Sequence, residues 1–189
     1  MRLPGAFTAI PTVTGDGVRL RAPRQEDLPG LVRAFSDERV RRFMPVPCEY
    51  TAAHAQNFID TAPAMWRAHR AVFVLADAAS DTFIGEAELL SLNELYRSAE
   101  AAFLLDAPAR RLRTAVAGVR LLCRFGFEEL GLTRIEAFTD LDNRAVHYVG
   151  AHAGFRKEGI ARGKIPGPGG QRRDCLVAAL LPGDLAPQR

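Results

Sequence analysis

The chain has 189 residues, 48% of them hydrophobic, with 25 basic against 22 acidic side chains and a formal net charge of +3. That length suits one domain with a substantial core, and no apolar run approaches the roughly 20 residues of a membrane span. The small charge excess argues against nucleic acid as the main partner. Because the N-terminus also lacks the charged-then-apolar plan of a signal peptide, a cytoplasmic protein is expected. Only Lys157 and Lys164 among the basic residues are lysine, so the positive charge is nearly all arginine. The planar guanidinium fork suits phosphate and carboxylate partners, and a high-GC coding bias would give the same composition. Cys48, Cys123 and Cys175 are scattered without C-x-x-C spacing, which predicts neither a metal site nor a disulfide framework.

In chain order, residues 1–14 read as a loose extension carrying Pro4, Gly5 and Pro11, and residues 15–185 as a single domain. Val18-Arg19-Leu20-Arg21 alternates with period two, as a strand does. Leu28, Leu31, Val32 and Phe35 follow helical spacing. Ser36-Asp37-Glu38 then restarts a short helix with Val40, Phe43 and Met44. Thr51 is placed to cap a further helix holding Phe58 and Ile59, which Pro63 is expected to end or kink. Residues 71–77 and 82–90 read as two strands of a hairpin, and residues 98–105 as the next strand.

The main helix is expected from Arg113 or Thr114, with Val116, Val119, Leu122, Cys123, Phe127 and Leu130 as its buried stripe. Gly131 fits the left-handed residue just past its end. Residues 134–139 form another strand, 143–152 a second helix and 175–181 the last strand, while residues 166–170 read as a surface turn. A run of antiparallel candidates followed by strand–helix–strand predicts an α/β chain of the α+β kind. Its sheet should be mixed and mostly antiparallel, with helices on both faces.

Three stretches carry a further signal: Phe125 to Ala137 (FGFEELGLTRIEA), Asp142-Asn143, and Gly154 to Gly159 (GFRKEG). With the opening VRLRAPRQEDLPGLVRAFSDERVRRFMP they resemble the GNAT acyltransferases, specifically the Rim-type protein N-terminal acetyltransferases. The resemblance implies acetyl-CoA as co-substrate and a primary amine as acceptor, either a protein N-terminus or a small molecule, by direct attack in a ternary complex. It implies that the strand at Ala101–Leu105, with Phe103, Leu104 and Leu105, hydrogen-bonds the pantetheine arm. The pyrophosphate loop falls on Arg110, Arg111, Leu112, Arg113, Thr114 and Ala115, where Arg111 and Arg113 stand in place of two glycines. A helix N-terminus is in any case a ready anion site. Asn143 matches the asparagine that contacts the arm or the strand backbone, and it is also an ordinary cap.

Amide formation needs a neutral amine, a donor for the oxyanion and an acid for the leaving thiolate. Relatives place a Tyr where Gly150 stands and a Ser where Val146 stands. Tyr148 is turned about 200° from position 150, and His147 about 100° from Val146. His147 is thus a candidate substitute acid, a surface histidine being the simpler reading. Glu86 and Glu88 share one strand face and could accept the amine proton or hold a cation, with Glu88 preferred; a solvent-facing edge is the alternative. Glu100 and Glu158 are expected to pair with arginines. Two rival readings stay open: a catalytically silent ligand-sensing or interaction module, and nucleic-acid binding through Arg110, Arg111, Arg113, Arg120 and Arg124. A homodimer is left open.

Overall fold

The computed structural model describes residues 1, 3–167 and 171–185. Its chain order is β1 (Val13–Gly15), β2 (Val18–Arg21), α1 (Leu28–Ser36), α2 (Glu38–Phe43), α3 (Ala52–Arg67), β3 (Ala71–Asp77), β4 (Phe83–Asn93) and β5 (Ser98–Leu105). There follow α4 (Leu112–Glu128), β6 (Arg134–Asp140), α5 (Arg144–Ala153), β7 (Arg156–Pro166) and β8 (Arg172–Leu180). The strands make one sheet in the order β1-β2-β3-β4-β5-β6-β8-β7. Every neighbouring pair is antiparallel except β5 and β6.

Side chains alternate across a strand, and on β5 this separates two cores. Leu105 joins Leu75, Leu89, Val119, Leu122 and Phe125 between the sheet and α4. Leu104 joins Leu31, Ala34, Phe35, Val40 and Ala55 beneath α1, α2 and α3. The sheet is therefore covered on both faces, as the hydrophobic pattern predicts. α4 is buried through much of its circumference, Arg120 included. It starts at Leu112, one to two residues earlier than expected, and Gly131 follows it at φ +71°.

Three expectations need correction. The N-terminal segment is not loose: Pro4 is buried, and Phe7 packs 5.6 Å from the Trp66 ring and 6.0 Å from Phe125. Val13–Gly15 adds a strand. Pro63 does not end α3, which runs on to Arg67. An interior proline costs about 3 kcal/mol, but Trp66 beyond it is buried against Phe7, Phe73 and Phe125 and donates its indole N–H to Val72 O at 2.8 Å. Each such burial returns about 1.5–3 kcal/mol. Finally, β7 is a full strand that the pattern does not betray, because its residues are mostly exposed. Of the turn at 166–170, residues 168–170 lie outside the described residues.

Candidate active site

β5 and β6 run parallel but pair only at Ser98↔Arg134, Ala99↔Ile135 and Glu100↔Glu136. Beyond residue 100 the strands part, while β5 keeps its other neighbour β4 as far as Gly85↔Leu105. One edge of residues 101–105 is thus left without a strand, and unpaired backbone polar groups seek partners. The gap is a cavity of about 270 Å³, lined by residues 100–103 of β5, residues 137–140 of β6, and Asn143, Val146, His147 and Gly150. A second cavity of about 390 Å³ continues along residues 103–105 to Arg110, Arg111, Leu112 and Ala115. The two form one groove from the parting of the strands to the start of α4.

At that start Arg111 is the N-cap, extended at φ −119° and ψ 141°, with no side-chain cap. Its N–H donates to Ala109 O at 2.7 Å, and the first helical bond is Ala115 N–H to Arg111 O at 2.9 Å. The N–H groups of Leu112, Arg113 and Thr114 are the unpaired first turn, at the positive end of the dipole. Neither Arg111 nor Arg113 has a positive φ, so arginine replaces glycine there without backbone strain. Both side chains are exposed, and neither forms an ion pair among the described residues.

Arg110 behaves differently. Its Nε donates to Leu105 O at 3.0 Å and its terminal nitrogens hold Asp37 at 3.0 and 3.1 Å. Asp37 in turn caps α2 through Arg39 N–H at 2.9 Å. The Arg110 guanidinium holds the Asp37 carboxyl below its ordinary range. Arg110 thus ties the end of β5 to α2. With Arg120 buried and Arg124 facing Asp16 at 3.7 Å, the arginines of the nucleic-acid reading do not form one exposed patch.

Asn143 caps α5, its Oδ1 accepting from Val146 N–H at 3.4 Å. One residue on, His147 lines the smaller cavity, and its Nε2 is shielded from solvent.

On the face beneath α1–α3, Glu86 and Glu88 of β4 are buried at 3% and 5% exposure rather than facing solvent. Arg70 occupies both oxygens of Glu88, Nε to Oε2 at 2.5 Å and a terminal nitrogen to Oε1 at 3.0 Å. Glu86 has no hydrogen-bond partner among the described residues. Burial, and secondarily the charge of Glu88, push its carboxyl well above the usual carboxylate range, against the opposing charge of Arg70. Tyr50, stacked on Phe35 at 4.7 Å, is pushed up to about 12 by burial and by Glu86. Glu158 pairs with Arg134 at 2.5 and 2.9 Å, as expected. Glu100 does not pair with an arginine among the described residues: burial raises its carboxyl, with Lys164 opposing.

Tyr50 and Arg70 were not singled out from the sequence. A signal for Arg70 exists in the hairpin: Val72 stands opposite Glu88 and Val74 opposite Glu86, so residue 70 falls on the same face, diagonal to Glu88. Among the described residues no group of His, Cys, Asp or Glu is arranged to hold a metal, and no helix is long and apolar enough to cross a membrane.

Comparison with known proteins agrees with this geometry. The family profile described as an acetyltransferase (GNAT) domain matches residues 18–156. An uncharacterized N-acetyltransferase of Bacillus subtilis (strain 168), YoaA, is 26% identical over 154 residues, 81% of this chain and 87% of that protein. Mycobacterium smegmatis RimJ, solved in complex with CoA-disulfide, superposes with a TM-score of 0.79 at 23% identity, covering 100% of this chain and 93% of that one. The ribosomal-protein-S5-alanine acetyltransferase of Vibrio fischeri gives 0.74 at 17% identity, covering 94% and 100%.

Proposed function

Because the chain belongs to the GNAT acetyltransferase family, we propose that it transfers the acetyl group of acetyl-CoA to a primary amine by direct attack while both substrates are bound. The observation that carries this reading is the unpaired edge of residues 101–105 running into the open first turn of α4. An amide-bearing arm fits such an edge as an added strand would, and a pyrophosphate fits the free N–H groups and dipole of a helix start. Arg111 and Arg113 add two mobile guanidinium groups, suited to phosphate oxygens. Asn143 faces both cavities and is positioned to contact the arm.

The acceptor amine enters from the face beneath α1–α3. Glu86 is the better-placed proton acceptor there, because Arg70 already engages both oxygens of Glu88. A carboxyl raised by burial is also a stronger base when ionised, which suits it to take a proton from an ammonium whose ordinary pKa is about 8 at a chain terminus. Glu88 with Arg70 then holds the strand and tempers the charge beside Glu86. A protein N-terminus and a small-molecule amine share this chemistry. We place the protein in the cytoplasm, where acetyl-CoA is made and used.

Calorimetric titration with acetyl-CoA tests the donor, and mass spectrometry tests the acceptor, using peptides with a free alanyl N-terminus alongside spermidine. Binding followed by a mass gain of one acetyl group supports the reading. No binding at millimolar ligand overturns it.

A further inference from the structure

The cavity between β5 and β6 contains a polar atom for which the fold provides nothing. His147 turns its ring into that cavity, and Nε2 is shielded from solvent without a hydrogen-bond partner among the described residues. Leaving a buried polar atom unpaired costs about 1–3 kcal/mol, so a ligand that satisfies it is favoured there. The ring is held one turn into α5, where the His147 N–H donates to Asn143 O at 3.2 Å. The residue as a whole is only half-buried, so the imidazole keeps a route to solvent. The neighbouring Gly150 brings no competing group: a Cβ there would meet only Phe155, at 3.8 Å.

The groove also has a direction. Its open end lies at the first turn of α4, which takes negative charge; its closed end is where β5 and β6 meet at Glu100↔Glu136. A thioester arm anchored by its phosphates at α4 therefore has its sulfur toward residues 101–103, the part of the groove that His147 lines. We propose that His147 is the proton donor to the sulfur that leaves the acetyl carbonyl, an assignment that rests on the acetyl-transfer reading above. As the amine nitrogen bonds to the carbonyl carbon, the C–S bond breaks and its electron pair returns to sulfur. The imidazolium gives its Nε2 proton to that sulfur, forming the thiol, and the ring takes a proton back from solvent. The ammonium loses two protons in all: one passes through Glu86 or water to balance the proton drawn by the ring, and the other is released. Thioester and ammonium thus become amide, thiol and one free proton.

Three other ionisable groups line the same cavity: Glu100 from β5, Asp140 from the end of β6 and Lys157 from β7. Asp140 is held by Arg173 at 2.6 Å, and none of the three hydrogen-bonds the ring. α4 contributes only Val119 to this wall.

The test uses the thiol product, since a group that protonates a leaving thiolate also stabilises that thiolate when CoA is bound. Ultraviolet thiolate absorbance of bound CoA is followed against pH in the wild type, His147→Ala and His147→Gln, with affinity measured by calorimetry. Glutamine keeps shape and hydrogen bonding but carries no transferable proton. In the wild type the bound thiol is expected to ionise about one pH unit lower, or more, than in both variants, with affinity changed by less than about threefold. Equal midpoints in all three proteins with retained binding overturn the assignment. A tenfold or greater loss of affinity in the variants with an unmoved midpoint makes His147 a binding residue and also overturns it. A wild type that binds no CoA removes the acetyl-transfer reading itself, and this proposal with it.

Discussion

Arg70 occupies both oxygens of Glu88, at 2.5 and 3.0 Å, and leaves Glu86, two residues away on the same strand face, without a partner. One arginine thereby makes two like carboxylates unlike, and the difference sets the first expectation. Glu86→Gln should lower acetyl transfer by about a hundredfold, the low end for removing a general base, with acetyl-CoA affinity unchanged. Glu88→Gln should cost less turnover than Glu86→Gln. Equal losses in the two variants, compared by initial rates at saturating donor, would contradict this division.

The same carboxyl governs stability. Its pKa is raised in the folded protein by burial first and by Glu88 second. The stability it contributes is therefore complete below the ordinary carboxylate range and is lost as pH rises through the elevated folded value. Glu86→Gln should raise the melting temperature at alkaline pH and leave it nearly unchanged at pH 4. Thermal melts of both proteins across that interval check the sign.

Asp81 works in the opposite direction. It accepts from Arg19 at 2.8 Å, Arg21 at 3.1 Å and Arg24 at 2.6 Å, and its pKa falls to about 2, with Arg19 the largest cause. Its stabilisation is present above the unfolded value near 3.8 and is lost as pH falls toward 2. Urea melts at pH 4 and pH 2 should show a smaller difference for Asp81→Asn than for the wild type.

The Arg21–Asp27 pair is buried, at 2% exposure for each residue, and bidentate at 2.7 and 2.8 Å. Asp27→Asn strips the guanidinium of a charge it cannot replace with water. Breaking a buried pair from one side costs about 3–5 kcal/mol. Asp81 still contacts Arg21, so chemical denaturation should give the lower end of that range.

Arg111→Gly with Arg113→Gly tests the groove's open end. Arginine fits the observed backbone angles, so glycine brings no relief of strain and removes two phosphate-reaching side chains. Affinity for acetyl-CoA should fall by about tenfold, or 1.4 kcal/mol, and its salt dependence should weaken. A tenfold gain in affinity would mean that the arginines obstruct the phosphates.

The run from β5 through α4 and β6 to α5 was legible because each element there has an apolar period of its own and ends on a residue with a local job, such as Gly131 at positive φ or Asn143 as a cap. β7 was not, since an exposed edge strand with Gly159 and Gly163 carries little hydrophobic signal. Phe7 and Pro63 were misread because the packing around Trp66 is assembled from four distant segments, and propensity is blind to it. At the site, the strand and loop positions could be read, but the division of labour could not. Arg110 turns back to Asp37, and Glu86 rather than Glu88 is left free, because partners far apart in sequence decide where a charge is spent.

The sheet is stitched across its middle by only three facing residue pairs, with five strands on one side and three on the other. Past residue 100 the width of the cleft is held by side chains of α4 and α5 instead of by a backbone ladder. Side chains change rotamer in nanoseconds, whereas a ladder opens only by local unfolding. The two halves therefore act as the jaws of a clip hinged at Glu100 and Glu136, and an arm lying along residues 101–105 supplies the missing rungs. Occupancy and rigidity of this cleft are then the same event.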